Sequence, residues 1–345
     1  MGLLRRSVLL LFSIPLFSFC NETSKINIEV TEVNEAQVSE ELIPIIEQVK
    51  KLSKSGTRAD ESFLYFTDPH LLLYFDIFDD ELKSNLVSFF LLPKEVYDYL
   101  SLDFCLCGGD WLNHKDSQAV AKEKLIYADK YMKTLFGNYH KIMGNHDTNY
   151  QGVVSNDNTT RGDFPRSFID GEYFSETGSA YYSFVGEETK FFVLDSGLDW
   201  KAAMDEYRWE QVRWLANQLL LDDNDHLAIC IHMFYSLGEL VPMSKQIVSL
   251  CDAFNSRQEI SINGQLFDYS ESKGTIHFIL SGHNHEDVVT YVGRNQSLPS
   301  VQTCNFGILK TSPTFDICLI DYTKGLLNMI RVGKGESRQI DLYIN

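Results

Sequence analysis

The chain has 345 residues, 44% of them hydrophobic, enough for one large core behind a short leader. It carries 48 acidic against 30 basic side chains, a formal net charge of −18. A surface this acidic repels phosphate backbones, so nucleic acid is not expected as a partner.

Residues 1–19 read as a signal peptide. Arg5-Arg6 make a basic start, and Val8 to Phe19 make an apolar run too short to span a bilayer. Cys20 follows, and Asn21-Glu22-Thr23-Ser24 opens a polar tether. The arrangement resembles a bacterial lipoprotein signal, in which the Cys becomes the lipidated N-terminus. Phe19, however, stands where a small residue is usual. Two readings stay open: membrane attachment through a lipidated Cys20, and simple secretion. Both place the protein outside the cytoplasm.

Residues 20–61 read as the tether and an N-terminal helix. Ile43, Ile46, Val49 and Leu52 recur at spacings of three, which predicts an amphipathic helix. From residue 62 to 332, short apolar runs alternate with helix-like segments, as in a sheet built from βα units. Helices are expected over Ser117–Phe136 and Asp205–Leu221. The second has Trp209, Val212, Leu215, Ala216 and Leu219 on one face. Residues 148–177, rich in Asn, Asp, Gly and Thr, read as a lid loop. The last third shows short strands parted by turns, which predicts an antiparallel sheet finishing the domain. Residues 333–345 read as a C-terminal tail. The seven cysteines include Cys105, Cys107, Cys230 and Cys318 inside apolar runs, where small buried hydrophobes are expected rather than disulfides.

Five motifs follow the apolar runs FLYFT, DFCLC, HKIM, LAICI and IHFILS in order. They are Asp68-Pro69-His70, Gly109-Asp110, Gly144-Asn145-His146-Asp147, His232, and Gly282-His283-Asn284-His285. Each alone has a plain structural reading, such as a turn, a helix cap or an unliganded strand-end His. Together, at strand ends, they place chemistry where an α/β sheet builds its sites. Asp68 and Asp110 offer carboxylates, His70, His232, His283 and His285 offer imidazoles, and Asn145 offers an amide oxygen. Seven N/O ligands suit two divalent ions that share a carboxylate. Two ions about 4 Å apart can polarise a phosphoryl oxygen and activate a bridging water, which suits phosphoester hydrolysis.

The motifs resemble the calcineurin-like metallophosphoesterase superfamily, whose pattern is D-x-H, G-D, G-N-H-[DE], H and G-H-x-H. The likeness covers roughly residues 62–330. It implies an α/β fold, a four-layer α-β-β-α sandwich with two metals at the strand ends. It further implies that Asp68, His70, Asp110 and His285 hold one metal. Asp110 would bridge to a second held by Asn145, His232 and His283. His146 would protonate the leaving oxygen after attack by a metal-bridged hydroxide, and Asp147 would orient His146. The expected substrate is a small phosphorylated molecule, cleaved in a phosphatase or phosphodiesterase reaction. Mn, Fe, Zn, Co and Ni are not distinguished.

Departures narrow the group. Trp111-Leu112-Asn113 follows the Gly-Asp motif where protein phosphatases carry Asp-Arg-Gly and purple acid phosphatases place a Tyr at position 113. Asn113, Arg161 and Arg166 are candidate substrate contacts, since an Arg fork binds phosphate bidentately. The rival reading is a non-catalytic scaffold with this fold. Retention of all seven ligands and His146 favours an enzyme.

Overall fold

The computed structural model describes residues 42–54, 59–70, 80–112, 118–148, 180–197, 205–307 and 313–344. The leader with Cys20, Asn113, Arg161, Arg166 and the lid beyond Thr148 lie outside the described residues.

In chain order the first elements are α1 (Ile43–Lys54), β1 (Glu61–Phe66), α2 (Asp80–Leu100), β2 (Phe104–Cys107), α3 (Gln118–Phe136) and β3 (Tyr139–Lys141). Next come β4 (Tyr182–Val185), β5 (Thr189–Leu194), α4 (Asp205–Leu221), β6 (His226–Ile231), β7 (Tyr235–Ser236), β8 (Glu239–Leu240) and α5 (Pro242–Asn255). The remainder is β9 (Glu259–Ile262), β10 (Gln265–Asp268), β11 (Thr275–Ser281), β12 (Val288–Val292), β13 (Leu298–Gln302), β14 (Phe315–Asp321), β15 (Leu326–Val332) and β16 (Arg338–Asp341).

Two six-stranded sheets form the middle of the molecule. One runs β16-β15-β14-β1-β2-β3, and the other β12-β13-β11-β6-β5-β4. In the first, β1, β2 and β3 are parallel, and β14, β15 and β16 are antiparallel. In the second, β5, β6, β11 and β13 are parallel, with β4 and β12 antiparallel at its edges.

The two-residue period of a strand decides the layers. Phe63 and Tyr65 of β1 face the second sheet. There they share a core with Phe104, Leu106, Phe191, Val193, Ala228, Cys230, Phe278 and Leu280. Phe63 stacks on Phe104 at 4.7 Å between ring centroids. Phe66 points the other way and meets Phe90 of α2 at 5.5 Å, and Phe90 reaches Phe136 of α3 at 6.5 Å. On the far side, Phe192, Leu194, Leu227, Ile229 and Ile231 pack against Val212, Leu215, Ala216 and Leu219 of α4 and against Met243, Ile247, Leu250 and Phe254 of α5. The order of layers is α-β-β-α, as the resemblance implies.

Two expectations need correction. The last third is not one antiparallel sheet: β12 and β13 complete the second sheet, and only β14, β15 and β16 run antiparallel in the first. Residues 333–345 are not merely a tail, because β16 pairs with β15 and Ile340 is buried in the inter-sheet core. Helices α2 and α5 and the β9–β10 hairpin had no sequence assignment. The expected cysteine role holds: Cys105, Cys107, Cys230 and Cys318 are free and buried.

Glu61 ties the two sheets together at the end where β1 begins. Its carboxylate is fully buried. It accepts N–H bonds from Glu187 at 3.0 Å, Glu188 at 3.1 Å and Thr189 at 3.0 Å, in the β4–β5 turn of the other sheet. Burial pushes its pKa up, and the three amide bonds partly offset this. Glu61→Leu removes the acceptor from three N–H groups and is expected to cost about 2–3 kcal/mol. Denaturant unfolding measures this, and an unchanged midpoint would show that the clamp does not join the sheets.

Candidate metal centre

The parallel strands β1, β2, β3, β6 and β11 all end at one edge of the sandwich, and a motif begins within a few residues of each end. Backbone bonds stitch these exits together. Asp68 N–H reaches Gly109 O at 2.9 Å, His70 N–H reaches Asp110 O at 3.0 Å, and Gly282 N–H reaches His232 O at 3.0 Å. Two motif glycines are required by contact. A Cβ on Gly144 would stand 2.0 Å from Asp110 Oδ1. A Cβ on Gly282 would stand 2.1 Å from Thr67 Oγ1. Any larger residue would displace the carboxylate or its neighbour.

The candidate ligand residues themselves adopt costly backbone conformations. Asp68, His70, Asp110, His283 and His285 all have positive φ, between 43° and 77°. Each such non-glycine residue costs on the order of 1–3 kcal/mol, and such strain gathers at functional sites.

Three clusters bring their ligand atoms within 4.8 Å of one another: Asp68 with His70 and His285, His70 with Asp110 and His146, and Asp110 with His232 and His283. His285 Nε2 is 3.2 Å from Asp68 Oδ1, and His70 Nε2 is 3.2 Å from His285 Nε2. His232 Nε2 lies 3.0 Å from Asp110 Oδ2 and 3.8 Å from Asp68 Oδ1. Asn145 Oδ1 joins the third group, 2.8 Å from His283 Nδ1. All seven residues named as ligands therefore meet at one place.

Second partners hold these side chains in ligand-ready form. His70 Nδ1 lies 3.0 Å from Leu112 O, and His232 Nδ1 lies 2.7 Å from Gly108 O. A carbonyl can only accept, so each Nδ1 carries a hydrogen and each ring turns its Nε2 to the centre. Asp68 Oδ2 accepts from Thr67 Oγ1 at 2.7 Å and from His283 N–H at 3.0 Å, which leaves Oδ1 facing inward.

The electrostatics show two carboxylates in a small buried space. Burial alone would raise Asp110, but the His232, His146 and His70 imidazoles hold it far below the usual carboxylate range. Asp68 is lowered as well, by His232 and His285 against its own burial. In return, burial favours neutral His232, yet Asp110 and Asp68 push its pKa up to about 10. Burial drops His283 to about 4. The site demands positive charge.

A pair of divalent ions fits that demand. Asp68 Oδ1 and His232 Nε2 are buried and have no hydrogen-bond partner among the described residues. His232 Nε2 lies 3.0 Å from Asp110 Oδ2 in an ion-pair contact. Buried polar atoms are rarely left unpaired, and coordination to a cation would satisfy both. The donors are carboxylate, imidazole and amide oxygen, a set suited to borderline divalent metals.

Asp147 acts differently from the expected partner of the His146 ring. Its buried carboxylate accepts four backbone N–H groups: Asp110 at 2.9 Å, Trp111 at 2.7 Å, Leu112 at 3.1 Å and Gly144 at 3.0 Å. Both oxygens are spent on joining the loop after β2 to the loop after β3. Burial and the nearby Asp110 charge push its pKa up to about 6. His146 sits at the rim, with its side chain 22% exposed and Nε2 4.0 Å from Asp110 Oδ2. Its own N–H binds Asp110 Oδ1 at 2.8 Å.

Other contributors carried no assignment in the sequence. Ser196 Oγ, after β5, accepts Met233 N–H at 2.7 Å and so fixes the residue beside His232. Asp195 accepts N–H bonds from Ala180 and Gly197 at 3.0 Å each. The signal was present, since Asp195-Ser196-Gly197 follows an apolar strand as the five motifs do.

Among solved structures, the chain is similar to a dimetal phosphatase from Danio rerio, with a TM-score of 0.55 and 11% identity over 83% of this chain and 100% of that one. It is also similar to a purple acid phosphatase from yellow lupin seeds, with a TM-score of 0.47 and 12% identity over 82% of this chain and 53% of that one. A third similar structure is GAP50, the anchor in the inner membrane complex of Plasmodium, with a TM-score of 0.49 and 11% identity over 83% and 89%. No curated protein sequence matches the chain. The family model for calcineurin-like phosphoesterases matches residues 62–287, from the start of β1 to just past His285, and the chain belongs to that family.

Proposed function

We propose that the chain hydrolyses a phosphomonoester or phosphodiester bond with two divalent metal ions, and that His146 is its proton donor. One observation carries the reading: seven Asp and His side chains from five strand ends converge there, and two buried ligand atoms have no hydrogen-bond partner among the described residues. Asp68, His70 and His285 would hold one ion, Asn145, His232 and His283 the other, and Asp110 would be shared. When bound, such ions polarise a phosphoryl oxygen and lower the pKa of water.

The remaining work falls to the chain's own groups. His146 is more exposed than His70 and His232, which lie at the centre, so its ring is open to solvent and to a leaving oxygen. A rim imidazole can give a proton to that oxygen and recover one from water. The bond from its N–H to Asp110 keeps the ring in register with the carboxylate the ions would share. Asp147 holds both of their loops through backbone amides, so it positions His146 without touching the ring.

The substrate is taken to be a small phosphorylated molecule, because a net charge of −18 disfavours a nucleic-acid polymer. Arg161 and Arg166 follow the Asn145 motif in sequence, and Asn113 follows Asp110. All three are proposed phosphate contacts. Export through residues 1–19, with a lipid on Cys20 or without one, belongs to the same proposal and rests on the basic and apolar leader.

His146 also approaches His70 and Asp110 as closely as a ligand would, so its role is open to direct test. His146→Asn is expected to lower kcat about 10²–10⁴-fold on a chromogenic phosphoester with Mn²⁺, while metal content stays at the wild-type level. Normal turnover would refute the proton-donor role, and loss of metal would make His146 a ligand. Asp110→Ala is expected to strip metal from both positions, measured by elemental analysis of the folded variant. Retention of both ions would refute the shared carboxylate.

A further inference from the structure

Beyond residue 287, where the family match ends, the chain adds the antiparallel strands β14, β15 and β16 to the first sheet. They carry a charged cluster beside the His283–His285 loop. Its centre is Arg331 on β15, whose side chain is only 1% exposed. All five guanidinium donors are used. Nε and Nη2 donate to the two oxygens of Asp316, at 2.8 and 2.9 Å. Nη2 and Nη1 donate to the two oxygens of Asp287, at 2.6 and 2.7 Å. The last Nη1 hydrogen goes to Lys334 O at 2.8 Å. One arginine thus makes two bidentate forks at once, a geometry no lysine reproduces.

Asp316 is a fixed base for this fork. It is fully buried on β14, directly opposite Arg331 in the strand register. Thr303 Oγ1 and Arg338 Nη2 also donate to it, at 2.9 and 3.0 Å. Asp287 is the end of the fork next to the His283–His285 loop, and it also accepts Cys304 N–H at 3.0 Å. It stands two residues after His285, before the strand pairing of β12 resumes at Val288. Between Ser281 and Val288 the chain makes two left-handed residues, His283 and His285, and follows no sheet ladder. The loop is pinned from outside: Asp287 by Arg331, and Asn284 by a 3.3 Å bond from Nδ2 to Gln302 Oε1.

We propose that Arg331 is a positioning residue for the metal centre, which sets the place of the His285 imidazole through its fork on Asp287. The inference rests on the binuclear reading above. It gives the strands outside the family match a share in the site: they carry the rigid base against which a strained ligand loop is held.

The test uses the full chain, freed of metal and titrated with Mn²⁺ alone, with free Mn²⁺ counted by electron paramagnetic resonance. Arg331→Lys keeps the charge and loses the forks. Asp287→Asn keeps the size and alters a carboxylate that is one-quarter exposed, so it serves if the first variant fails to fold. Both are expected to weaken one Mn²⁺ position about 10–100-fold and to leave the other unchanged, the pattern of a lost outer partner to a ligand. Lys190→Met removes the Lys190–Asp222 ion pair at the opposite end of β5 and controls for lost stability. Wild-type binding of two Mn²⁺ with unaltered binding by Asp287→Asn would overturn the inference. So would equal weakening in Lys190→Met. A wild type that binds no Mn²⁺ would remove the binuclear reading, and the inference with it.

Discussion

The Asp147 carboxylate, with four backbone N–H groups converging on it, is the contact on which the site depends most. It closes the loop after β2 onto the loop after β3. It helps hold Asp110 in a left-handed conformation with Gly144 packed against its carboxylate. Asp110 in turn binds His146 N–H, so His146, Asp110 and Asp147 form one unit. A carboxylate that accepts amide bonds in a buried place is strong because the competing water is absent.

The same logic runs outward from the centre. Buried carboxylates recur where two pieces of chain must be joined: Glu61 between the sheets, Asp147 between two ligand loops, and Asp316 beneath the guanidinium of Arg331. Each is met by amides or by a guanidinium. Asp68 Oδ1, together with His232 Nε2, is the exception, buried and without a hydrogen-bond partner among the described residues. That contrast is the physical argument for cations. Coordination to a cation would satisfy Asp68 Oδ1 and His232 Nε2 together.

Much of the site was legible in the sequence, because ligand chemistry needs particular residue types and parallel strands need continuous apolar runs. The order Asp68, Asp110, Asn145, His232, His283 and the run before each were both visible, and geometry then placed them together. What stayed hidden depends on contacts distant in sequence. Asp147 sits beside His146 in the chain, yet its carboxylate turns to amides at residues 110–112. Arg331 reads as an ordinary charge in a strand, since its partners Asp287 and Asp316 lie 44 and 15 positions away. The α2 helix was obscured by Pro93 within it, a residue that usually ends a helical pattern. The β16 strand was obscured by its polar sequence RQID, in which only Ile340 reaches the inter-sheet core.

We infer that two metal ions sit at this edge of the sandwich and share Asp110. Anomalous scattering from crystals of the wild-type protein grown with Mn²⁺ tests it most directly. The account predicts two peaks about 4 Å apart, one among Asp68, His70 and His285 and the other among Asn145, His232 and His283, with Asp110 between them. A single peak, or peaks at other residues, would contradict it.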